Sequence, residues 1–167
     1  GIGYTFEDIQ DPHAIEFQWV QQFWLQVDTA PSEATVQGTG WYDVGTLAHI
    51  SAVTPYQAST AHRFVFLSWT STGPNEAHIT VPTQSSVTIT MNNYYTVHAG
   101  WQEQWYISVI SVHDDPTPSQ WVNAAGRLAV SVTSPADDNG AGTRYRCIGY
   151  KIDDGTLSEG ISYTLTD

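Results

Sequence analysis

The sequence predicts an all-β chain of two tandem β-sandwich repeats of immunoglobulin-like size, with an amino-terminal strand segment that completes a neighbouring unit. Three observations predict it. The same word stands at both ends, GIGYTFED at 1–8 and GISYTLTD at 160–167, and such self-similarity marks an array of units that cannot bury their apolar faces alone. Interior landmarks also recur at fixed spacing. The stretch 13–27 lies over 95–109 at 82 residues, with Trp19 on Trp101 and Gln22 on Gln104. The stretch 62–69 lies over 143–150 at 81, with Arg63 on Arg144, Phe66 on Cys147 and Trp69 on Tyr150, and 44–48 lies over 125–129 at the same spacing. Finally, apolar residues alternate with a period of two, and no stretch sustains a helical period.

Residues 1–20 read as the closing-strand segment of a preceding or neighbouring repeat, because Ile15, Phe17 and Trp19 alternate with Glu16 and Gln18. Residues 21–102 read as the first β-sandwich repeat, with five strands near 22–28, 46–53, 63–69, 85–91 and 94–101. Within it Val87, Ile89 and Met91 alternate with Thr88 and Thr90, and Tyr95, Val97, Ala99 and Trp101 keep the same phase. Each strand is short and antiparallel in style, which favours a two-sheet sandwich. Turn formers punctuate the runs at Gly38-Thr39-Gly40, Thr72-Gly73-Pro74-Asn75, Asp114-Asp115-Pro116, Asp137-Asp138-Asn139-Gly140 and Asp153-Asp154-Gly155. Residues 103–167 read as the second repeat, without a counterpart of the strand at 94–101.

Composition narrows the function. The 167 residues are 41% hydrophobic and 13% aromatic, with seven Trp and nine Tyr, enough to build a core and exclude intrinsic disorder. Five basic residues against seventeen acidic ones give a net charge of −12. That balance argues against nucleic acid, whose binding needs Lys and Arg at phosphates, and against adsorption to anionic lipid. No apolar run reaches the length of a membrane-spanning helix, and no signal peptide is present in the sequence as it stands. Cys147 is the one cysteine; lying over Phe66, it reads as a small buried hydrophobe, the alternative being an intermolecular bond or a reactive thiol.

The segments GTGWYDVGT (38–46), RFVFLSW (63–69) and VTITMNNYYTVHAGW (87–101) together resemble the repeat domains found in tandem in large bacterial and archaeal cell-surface proteins, in particular the divergent internalin-B-type B-repeat group. The resemblance spans nearly the whole chain. It departs at Tyr150, which stands where the first unit has Trp69, and at the second unit's missing closing strand. The resemblance implies an extracellular or cell-surface structural or adhesive role with no chemistry of its own.

A search for chemistry among the residues gives little, and an enzyme is not expected. Six scattered histidines form neither a His-x-His pair nor a His-Glu-x-x-His helix. Serines are plentiful, but no Gly-x-Ser-x-Gly elbow presents one. No cofactor is expected; calcium is the one weak candidate, at Asp137, Asp138, Asp153 and Asp154, whose clustered oxygens suit that ion but whose Asp-Gly and Asn-Gly pairs are also standard turn residues. Trp41, Tyr42, Trp105 and Trp121 are candidates for stacking on sugar rings. Against that, Trp19, Trp69 and Trp101 recur at matched strand positions, where core aromatics belong.

The expectation is therefore a surface stalk or filament, built by head-to-tail strand complementation. Its partner is another copy of itself or an adjacent repeat of a longer chain, and Ile15, Phe17 and Trp19 form the assembly strand. The alternative is a carbohydrate-binding or adhesin module of a large surface protein.

Overall fold

The computed structural model describes residues 3, 5, 7–137 and 142–166, which form an all-β structure with no helix. Strands β1 (Gln22–Thr29), β3 (Gly40–Asp43), β5 (Tyr56–Ser59), β6 (His62–Thr72), β8 (Tyr95–Ile107) and β9 (Gln120–Asn123) make one sheet in the order β3-β1-β8-β6-β5, with β9 also on β8. Strands β2 (Val36–Gln37), β4 (Leu47–Ala52) and β7 (Ser86–Thr90) make a second sheet in the order β2-β4-β7. Two pairs complete the chain: β10 (Arg127–Ser131) with β13 (Ser162–Thr166), and β11 (Ala136–Asp137) with β12 (Arg144–Tyr145).

The core lies where the first two sheets meet. Leu25, Val27, Val97, Ala99 and Trp69 from one sheet cluster with Ala48, Ile50, Ala52 and Ile89 from the other, together with Met91. Each sits on the inward phase of its strand, as the period of two requires. Trp69 is 2% exposed and keeps its indole N–H satisfied by donating to Gln84 O at 3.0 Å, as a buried Trp must.

Three features differ from the sequence-based expectation. The five strands expected in the first half are present as β1, β4, β6, β7 and β8, with β2, β3 and β5 in addition, but β1 pairs with β8 in parallel, Leu25 opposite Tyr95 through Thr29 opposite Ala99. The two are the first and last strands of that half, so no tight hairpin dictates their sense. Secondly, the expected boundary at 102/103 falls inside β8, which runs unbroken to Ile107 because both of its edges keep partners: His62 stands opposite Trp105 and Asn123 opposite Gln104. Thirdly, the spacing of 81 for 44–48 against 125–129 is one residue too long. In the ladders Ala48 faces Ile89 and Leu128 faces Leu165, so Ala48 matches Leu128. The preceding turns agree: Thr46 N–H donates to Asp43 O and Gly126 N–H to Asn123 O, with positive φ at Gly45 (80°) and Ala125 (57°).

The halves share further contacts. Gln22 Nε2 donates to Asp43 Oδ1 at 2.7 Å, and Gln104 Nε2 to Asn123 Oδ1 at 2.8 Å. Trp24 meets Trp41 edge-on at 5.4 Å and 64°, and Tyr106 meets Trp121 at 5.3 Å and 61°. Val27 N–H donates to Thr39 Oγ1 at 3.0 Å, and Val109 N–H to Ser119 Oγ at 2.8 Å.

Candidate functional site

Among the described residues, every buried core residue lies at or before Ala99. Beyond it the described inward positions are only half-buried, and they surround an open cavity of about 700 Å³. One wall is the stretch from Ile107 through Val109 to Ser111, continuing β8. The floor is β10 and β13, where Val130 faces Tyr163. The other wall carries Cys147, Tyr150 and Ile152. Tyr150 leans on Tyr163 with ring centroids 5.0 Å apart, and the Cys147 thiol donates to Gly149 O at 3.4 Å.

In the first half the comparable space is filled by β8. Its residues 95–99 run parallel to β1, while 96–105 run antiparallel to β6. Val97 is fully buried there and Ala99 nearly so. Trp101 meets Phe66 edge-on at 5.9 Å, and its Nε1 donates to Thr29 Oγ1 at 2.8 Å. Among the described residues of the second half, no strand lies along 108–111 or 146–152 in that way.

The assembly residues named from sequence lie apart from this groove. Ile15 is 61% exposed, Phe17 71% and Trp19 91%, and residues 12–21 belong to no strand. The expectation that Trp19 is a core aromatic like Trp69 and Trp101 is corrected: no strand lies beside it to cover it. Of the amino-terminal word, Gly1, Ile2, Tyr4 and Phe6 lie outside the described residues.

All four sugar-stacking candidates touch neighbours, Trp41 meeting the edge of Trp24. Tyr42 donates its hydroxyl to Gly38 O at 2.8 Å and packs on the core. Trp105 is stacked by His62 at 3.9 Å. Trp121 carries the Arg63 guanidinium over its ring at 4.2 Å and the edge of Tyr106. Trp41 alone of the four is largely exposed, at 65%. The calcium candidates do not converge on a site: no three His, Cys, Asp or Glu side chains gather among the described residues. Asp153 has φ of +50° in a turn closed by Gly155 N–H on Ile152 O. Asp137 ends β11, and Asp138 lies outside the described residues.

Sequence reasoning missed Ser111 and Lys151 as parts of the groove. The signal was present: at the spacing of 82, Thr29 lies over Ser111, a hydroxyl over a hydroxyl, and Lys151 is the one lysine of the chain. Comparison of the chain with protein-family models, with curated proteins and with solved structures finds no match.

Proposed function

We propose that this chain is a structural repeat protein of the extracellular surface, building a stalk or filament from tandem β-sandwich units. Each unit is closed by a strand that leads directly into the next. The observation that carries this reading is the recurrence, between β1 and β3 and again between the far end of β8 and β9, of an equivalent ring pair and an equivalent Gln-to-Asx hydrogen bond: Trp24–Trp41 with Gln22–Asp43, and Tyr106–Trp121 with Gln104–Asn123. A strand that closes one unit and opens the next propagates the pattern along an axis, and a heterologous head-to-tail contact extends it as an open filament wherever its rotation does not close a ring. The resemblance to internalin-B-type B-repeats points the same way.

The open groove and the exposed segment 13–19 supply the contact. Burying Ile15, Phe17 and Trp19 is worth about 5–9 kcal/mol at about 1.5–3 kcal/mol per large apolar side chain, set against the ordering and association costs of docking. Electron microscopy of the purified chain tests the reading: rods or fibres lengthening with concentration are expected, and discrete monomers at every concentration would overturn it. The adhesin alternative has Trp41 in its favour, a largely exposed ring. Retention on insoluble polysaccharide that is lost in Trp41→Ala would establish it.

A further inference from the structure

We infer that the groove of the second half is a docking site for residues 13–19 of a second copy of this chain, held in one register. The inference rests on the assembly reading above and specifies its contact. The segment would run parallel to 107–113 and antiparallel to 146–152, as β8 runs between β1 and β6. That register places Ile15 beside Val109 and Ile152, Phe17 beside Tyr150, and Trp19 beside Cys147.

Side-chain size, hydrogen bonding and charge each select this occupant. In the first half, large Phe66 and Trp69 face Trp101 and small Ala99. In the second, Cys147 and Tyr150 are smaller, and the incoming strand offers Phe17 where β8 has Ala99, so volume lost from the wall is returned by the guest. Close packing rewards such exchange. Trp101 Nε1 donates to Thr29 Oγ1; Trp19 Nε1 would find the Ser111 hydroxyl in the same place. His98 stands opposite Thr70; Glu16 would stand opposite Lys151, and directly opposed charges across antiparallel strands are favourable.

The segment cannot reach its own groove. Leu25 pairs with Tyr95, so the segment leaves β1 at the far end of β8 from the groove. The 13 residues of β8 span about 40 Å at about 3.3 Å each. In the docked sense Trp19 lies deepest, and the three residues from there to Gln22 extend at most about 11 Å. The contact is therefore between copies.

The register places position 19 directly opposite the native Cys147, and antiparallel partners have Cα atoms about 4.5–5.5 Å apart, within disulfide range. The test is Trp19→Cys in the full chain under mild oxidation with diamide. Trp19 is too exposed for its loss to unfold the free chain. A ladder of covalent oligomers on non-reducing gels is expected, abolished when Cys147→Ser is added and absent from Phe17→Cys. A ladder from Phe17→Cys but not Trp19→Cys overturns the register and leaves strand complementation standing. A dimer that persists with Cys147→Ser reports contact between two copies of position 19 and overturns the groove as the site. Unlinked, monomeric protein from both variants and from the wild type overturns the assembly reading as well.

Discussion

The backbone N–H of Cys147 donates to Ser134 Oγ at 2.9 Å, the bond that Phe66 N–H makes to Thr54 Oγ1 at 2.8 Å. The hydroxyl ties the backbone down at the same point in both halves, whatever side chain stands there. The difference between the halves lies in what fills the space in front of that wall.

Equivalent substitutions on the two walls will therefore have unequal effects in the unassembled chain. Trp69→Ala removes a fully packed ring and is expected to cost about 3–5 kcal/mol. Tyr150→Ala, facing an open cavity, is expected to cost under about 1 kcal/mol. Urea denaturation of dilute protein measures both, and equal losses would show that the second half is already closed.

Ala125 holds φ of +57° where Gly45 holds +80°. A left-handed backbone costs a residue with a Cβ about 1–2 kcal/mol, part of which is returned as lower unfolded-state entropy. Ala125→Gly should therefore stabilise the β9–β10 turn by about 0.5–1 kcal/mol, read as slower amide exchange in β9 and β10. Gly126→Ala should do the reverse, because a Cβ there would meet Asn123 O at 2.6 Å.

Among the described residues no core residue precedes Phe23, so a chain lacking residues 1–20 should keep the denaturation midpoint of the first half while losing assembly. In the full chain the emission of Trp19 should shift to the blue as concentration rises, and Trp19→Phe should remove that part of the shift. Fibres forming normally from the truncated chain would contradict the docking of this segment.

Charge gives an independent test. Glu16→Lys and Lys151→Glu should each raise the concentration needed for assembly by about 1.4–5-fold, matching the roughly 0.2–1 kcal/mol of an opposed pair. The double variant should recover most of the loss at low salt. Equal defects in the single and double variants would place the two residues apart.

How much of this was legible from sequence followed from the physics of each element. Strands such as β4 and β7 were found because one face is buried, which forces alternation. Strands β2, β3 and β5, of two to four residues, are too short to show a period. The continuation of β8 past Trp101 was hidden by Gln102-Glu103-Gln104, polar residues held in the strand by partners on both edges rather than by an apolar face. Matching identical glycines set Gly45 on Gly126, whereas the backbone sets Gly45 on Ala125; ladder phase, not residue identity, decides register. Phe66 over Cys147 was legible because flanking aromatics fixed the spacing. The groove was not, because it is formed by residues whose only shared property is the space they leave.

The unbroken course of β8 also bears on how the molecule carries load. Tension applied along its axis would pass through covalent backbone at the junction of the halves, where no loop can extend first. The ten positions at which β8 pairs with β6 would be strained together in shear rather than peeled one after another. A stalk assembled as proposed would yield by sliding whole strands, its strength growing with strand length, and its weakest element would be whichever contact between units lacks a peptide bond.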